Sequence, residues 1–147
     1  MTINEREGAA LLKLLKISRL KADETGRRIA NLEAAWVKTD ASLKLLADAV
    51  SNEEAAARAA EVVGFAQLAG FLTGAARKKA TLEATKTQIA AEIESARGDL
   101  EDLFIETKKL EHLVDRARLA AQRRDRRVEA ASMSDAAIAR FVRKNER

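Results

Sequence analysis

The chain contains no cysteine, no proline and no tyrosine, and only 3% of its side chains are aromatic. Without cysteine there are no disulfides, no thiolate nucleophile and no cysteine-based zinc site. A single His112 cannot supply a multi-histidine metal centre, so no metal site and no cofactor are expected. A catalytic pocket needs converging polar groups in an apolar, partly aromatic cleft. The raw material for one is scarce, and no catalytic residue is assigned. The longest uncharged run, Val62 to Ala76, is 15 residues, short of the roughly 20 that a spanning helix requires. The glycines form no phosphate-binding pattern, and Gly70-Phe-Leu-Thr-Gly74 matches GxxxG in spacing alone. The first residues have charge on both sides of a very short apolar stretch, unlike a secretory signal.

What the 147 residues do contain is alanine, leucine, glutamate, lysine and arginine, with 34% charged side chains. That composition, with no proline to interrupt it, favours long helices. From Leu11, steps of four and three pass through Leu15, Ser18, Ala22, Thr25, Ile29, Leu32, Trp36, Thr39, Leu43, Leu46 and Val50. A second seam runs through Leu82, Lys86, Ile89, Ile93, Ala96, Leu100, Leu103, Thr107, Leu110, Val114, Ala117 and Ala121. Both have the a/d spacing of a coiled coil, with charged residues between. The expected fold is all-α: a long antiparallel two-helix coiled-coil hairpin with a short C-terminal helical tail.

The two seams are separated by a glycine-bearing stretch. A turn at about 63–66 is expected, with Gly64 taking the left-handed cap conformation that other residues resist. Helix 1 would then cover about 5–62 and helix 2 about 67–131. A competing break is Ser51, where Ser51-Asn52-Glu53-Glu54 has the form of a capping box. A turn at Gly64 pairs residues whose numbers add to about 130, and predicts a rod on the order of 85 to 90 Å. Ser132-Met133-Ser134-Asp135 offers N-cap residues for a separate tail helix over about 135–145. Small and polar seam positions make the core thin, so modest stability is expected.

Two sets of residues are candidates for partner contact. Residues 112 to 147 hold ten basic and five acidic side chains, which accounts for the excess positive charge of the chain. Arg116, Arg118, Arg123, Arg124, Arg126 and Arg127 form the densest cluster, suited to an acidic protein groove or a phosphate track. No aromatics are interleaved for base stacking, so nucleic acid is disfavoured and an acidic protein is preferred. At the opposite end Phe65, Leu68, Phe71 and Leu72 recur at helical spacing where a hairpin tip has little core. They form either a docking patch or local packing around the turn. His112 falls two positions after Leu110, on the outer, solvated side of its helix.

Lys108-Lys109-Leu110-Glu111-x-Leu113, an arginine-rich stretch, and Met133-Ser134-Asp135-Ala136-Ala137 before Arg140-Phe141 form a recognisable series. With the leucine-rich start and two-helix plan, the chain resembles the FliJ family of the flagellar type III export apparatus, and more distantly the YscO-type stalk proteins of injectisomes. The resemblance implies a non-enzymatic, stalk-like partner of the flagellar export ATPase ring, in the cytoplasm and peripherally associated with the inner-membrane export apparatus. By the same resemblance Arg116, Arg123, Arg124, Arg126 and Arg127 face the ring, while Phe65, Leu68, Phe71 and Leu72 are nearest to the membrane export gate. Export chaperones are the third implied partner, and no small-molecule substrate is implied. Gly70, Gly74 and the neighbouring alanines depart from the aromatic and polar residues this family carries near the start of its second helix. The alternatives are a basic coiled-coil module binding nucleic acid or anionic membrane through its C-terminal arginines, and a parallel structural coiled coil.

Overall fold

The structure, a computed structural model, describes residues 4–146, with the side chains of 61–63 outside the described residues. Two helices, α1 (Glu5–Ala59) and α2 (Glu61–Asn145), pack against each other as an all-α hairpin. Alanine-rich composition and the absence of proline sustain both helices without a break. The start of α1 is closed by a capping box: the Glu7 amide donates to Asn4 Oδ1 at 2.8 Å, and the Asn4 amide donates to Glu7 Oε2 at 3.1 Å. Arg143 and Lys144 in the last turn of α2 suit the negative end of the helix dipole.

The connection is a bend at Ala60, four residues before the expected Gly64. The Ala60 amide donates to both the Ala56 and Ala57 carbonyls, at 3.1 and 3.2 Å, and closes the last turn of α1. Gly64 lies inside α2, and its φ is outside the left-handed range. Its role is close approach: a Cβ built there would meet the Ala57 carbonyl oxygen at 2.8 Å and the Ala60 Cβ at 2.9 Å. The expected turn at 63–66 is therefore corrected, and of that range residue 63 has its side chain outside the described residues. Ser51 does not interrupt α1. Nor does Ser132 to Asp135 start a separate helix, because α2 runs unbroken to Asn145 in place of a distinct 135–145 tail.

Every seam position read from the sequence, from Leu11 to Val50 and from Leu82 to Ala121, is buried or half-buried. The packing divides into two compact units, Asp23–Glu101 and the flanking segments that end at Ala22 and begin at Asp102. In the flanking unit Leu15, Leu110 and Val114 form the core cluster, with Leu11 packed against it. Ser18 and Thr107 are joined there by a hydroxyl–hydroxyl hydrogen bond of 2.7 Å, and the Thr107 hydroxyl lies 2.7 Å from the Leu103 carbonyl. Arg19 pairs with Glu111 at 3.2 Å on the rim.

In the Asp23–Glu101 unit the fully packed apolar positions are mostly small: Ala57, Ala75 and Ala96 are buried, as is Ile93. Such residues allow close helix approach but bury little apolar area, so the core is shallow. Thr39 is buried and donates its hydroxyl proton to the Ala35 carbonyl at 2.9 Å, which satisfies it within its own helix. Lys86, a cation on the seam, is accommodated by Asp40 at 2.7 Å and by the Trp36 ring, 4.5 Å from its centroid. Arg97 pairs with Glu33 at 3.3 Å.

Two of these pairs correct the expected register, whereas the longer side chains of Arg19–Glu111 and Arg97–Glu33 still join residues that sum to 130. A sum of 130 sets Ser18 opposite His112 and Asp40 opposite Ala90, whereas Ser18 meets Thr107 and Asp40 meets Lys86. The displacement, about one helical turn toward the bend, follows from the earlier turn.

Candidate functional site: an arginine-bearing end of the second helix

Within the flanking unit α2 outruns α1. Gly8 sits opposite Ala117, and Asn4, Glu5, Gly8 and Ala9 border a shallow groove of about 290 Å³ whose α2 side ends at Ala121 and Arg124. From Gln122 to Asn145 every residue of α2 is exposed, as is Glu146 after it. An a/d seam in the same phase continues through this stretch as Arg124, Val128, Ala131, Asp135, Ile138, Val142 and Asn145, with no helix across from it among the described residues. Val128, Ile138, Phe141 and Val142 consequently stand in solvent, Phe141 at 66% exposure. Sequence reading placed Ile138 and Phe141 in a separate short helix. Extending the heptad phase past Ala121 through Ile138 and Val142 is the signal that joins this stretch to α2.

Arg116, Arg118, Arg123, Arg124, Arg126 and Arg127 are all exposed. None forms an ion pair among the described residues, although Asp115 and Asp125 are neighbours in sequence. At 100° per residue, Arg116, Arg123 and Arg127 fall on one stripe with Arg124 and Arg126 about 80° to either side of it, whereas Arg118 points to the far side. The cluster is thus a three-residue stripe with flanking cations. Unpaired guanidiniums on a convex helix present forked donors to carboxylates or phosphates brought by a partner. They do not enclose a small molecule.

The tip residues are less uniform. Phe65 is 56% exposed, while Leu68, Phe71 and Leu72 are half-buried. Leu72 lines a groove of about 400 Å³ with Leu43, Leu46 and Val50 and so belongs to the packing of its unit. Gly70 and Gly74 face open space, where a Cβ would meet nothing within 4 Å. His112 is exposed.

Two carboxylates carry the perturbed electrostatics. The Lys86 ammonium, followed by that of Lys44, holds the Asp40 carboxyl below its ordinary value. Hydrogen bonds first from Arg19 and then from Lys108 do the same for Glu111. Both are rim groups that lock helix pairing, and neither lies in an enclosed cleft. No described helix is long and apolar enough to cross a membrane. Among the described residues no three His, Cys, Asp or Glu side chains converge as a metal site. No family model, curated protein or solved structure matches the chain.

Proposed function

We propose that this chain is a non-enzymatic coiled-coil stalk of a flagellar type III export apparatus. It engages the export ATPase ring through the arginine-bearing end of α2, and links the ring to the membrane export gate and to export chaperones. It acts in the cytoplasm and associates peripherally with the inner-membrane apparatus. The observation that carries the reading is the exposed stretch from Gln122 to Glu146, which has no helix across from it among the described residues, and the arginines at its start, which form no ion pair among them. A stiff helix with free guanidiniums on one stripe suits an acidic lumen or groove, where charge steers the encounter and apolar residues complete the contact. The resemblance in sequence to the FliJ family names that partner.

The experiment is turnover by the flagellar export ATPase with and without this chain, and with a variant in which Arg123, Arg124, Arg126 and Arg127 are replaced by glutamate. The proposal expects turnover and ring assembly to rise with the natural chain and not with the variant. No response to a folded, helical sample overturns it.

A second reading is supported by the apolar residues beside the arginines. Val128, Ile138, Phe141 and Val142 are exposed on a basic helix, a combination that also suits an anionic membrane surface. Co-sedimentation with anionic but not neutral vesicles, together with no effect on the ATPase, selects that reading. Nucleic acid instead gives binding that falls steeply with salt.

A further inference from the structure

The bend between the helices has none of the chemistry that fixes a turn. Ala60 alone joins α1 to α2, there is no proline, and Gly64 does not take a left-handed φ. The Ala60 amide already makes the helical i to i−4 bond, donating to the Ala56 carbonyl at 3.1 Å. The residues that lead into it, Ala55, Ala56, Ala57, Arg58 and Ala59, are among the strongest helix formers.

The packed seam also crosses the bend in phase. Val50, Ala57, Gly64 and Phe71 recur every seven residues, Leu68 and Ala75 lie four after the last two, and all six are buried or half-buried. A straight helix through Ala60 therefore carries these positions along one side as a continuous coiled-coil seam. It also bonds the amides that open α2 to the carbonyls that close α1, groups that helix ends leave without intrahelical partners.

We propose that two copies of this chain exchange arms: each straightens at Ala60, and α1 of one copy packs on α2 of the other. Very short hinges invite exchange of this kind. One two-fold axis makes all of the contacts in the register that the hairpin has. Facing residues of an antiparallel pair add to a constant, and the sum is unchanged when one of the two belongs to the other copy. Ser18 with Thr107 and Asp40 with Lys86 add to 125 and 126, which sets the axis between Ala60 and Gly64, at the bend itself. The occupant is a second copy because the seam is already complementary to it: the hydroxyl pair and the ion pair are remade across copies. In dilute solution the covalent link keeps each α1 beside its own α2, and self-closure wins. As concentration rises, exchange gains the straight hinge and loses no seam contact away from the bend. The inference does not rest on the export reading, and no ATPase enters its test.

The test is refolding from urea at about 200 µM, enough to populate a pair with Kd near 100 µM. Sedimentation should then show, beside the 16.1 kDa monomer, a species of twice that mass. Ser18→Cys and Thr107→Cys chains refolded together and oxidised should give a covalent heterodimer, because positions joined by a 2.7 Å hydrogen bond within one copy then meet across two. Either variant oxidised alone should give no comparable product. Glu61→Pro in both chains should abolish the heterodimer while helicity by circular dichroism is kept: the first position of a helix tolerates proline, and a straight helix through that position does not. Gly64→Ala should act in the opposite sense and lower the dimer Kd at least about tenfold, because its Cβ is crowded by the Ala57 carbonyl oxygen only while the bend is closed. A monomer at every concentration overturns the proposal. So does a dimer that forms no disulfide between positions 18 and 107, or one indifferent to Glu61→Pro or to Gly64→Ala.

Discussion

Replacing Gly64 by alanine should destabilise the protein, although alanine is the better helix former. On a solvated helix the exchange gains about 1 kcal/mol of propensity. Here the added Cβ would lie 2.8 Å from the Ala57 carbonyl oxygen, 2.9 Å from the Ala60 Cβ and 3.0 Å from the Ala57 Cα. Two of these atoms are backbone and the third is fixed to it, so no flexible side-chain end can move aside. Relief requires the bend at Ala60 to open, and overpacking of this kind costs about 1–3 kcal/mol. The steric cost therefore exceeds the propensity gain, and a net loss of about 1 kcal/mol is expected. Gly70 and Gly74 provide the internal standard, because a Cβ at either meets nothing within 4 Å. Gly70→Ala and Gly74→Ala should each raise stability by about 0.5–1 kcal/mol. Thermal and urea denaturation followed at 222 nm on the three single variants gives the signs directly. If Gly64→Ala stabilises as the other two do, the tight seating of α2 on Ala57 is wrong.

Leu110→Ala, in the cluster with Leu15 and Val114, should cost about 2–3 kcal/mol, at the low end of core truncations because a two-helix seam can partly close on the cavity. Leu119→Ala, at an exposed position of the same helix, should stay within about 0.5 kcal/mol in the same denaturation assay. The lowered carboxyls of Asp40 and Glu111 make stability depend on acid. Each bonded carboxylate stabilises the fold in full above its ordinary value, near 3.8 and 4.5, and this is lost as pH falls through the lowered folded value. Melting temperature should accordingly fall below about pH 4.5, and the Asp40→Asn/Glu111→Gln double variant should have a flatter profile between pH 5 and 3. An equally steep profile in that variant would assign the acid sensitivity to other groups.

The heptad phase was legible because a period is a property of the residues alone. Leu11 through Val50 and Leu82 through Ala121 all turn inward where the spacing places them, polar Ser18 and Thr39 included. Register was not legible, because it depends on where the chain reverses. Ala60 bends without a breaker side chain, and the glycine that looked like the turn is needed as a Cβ-free contact four residues later. The capping signals at Ser51 and Ser132 are overridden by helix-forming neighbours on both sides. Lys86 is the one charged residue in the second seam. Only the corrected register sets it against Asp40 and Trp36, which turn it into a cross-helix clamp. The arginine cluster was legible as a charge excess, but its division into a stripe of Arg116, Arg123 and Arg127, flanked by Arg124 and Arg126 and with Arg118 on the far side, follows from the unbroken helix.

The absence of native cysteine allows the central claim to be tested by placing a single reactive group at will. Ala130→Cys, on the unpartnered stretch of α2, and Ala69→Cys, near the tip, are each labelled with a photo-crosslinker and mixed with the flagellar export ATPase. The account predicts adducts to the ATPase from position 130 that disappear when the arginines at 123, 124, 126 and 127 are reversed, and none from position 69. Adducts from position 69 alone, or from neither position, would contradict it.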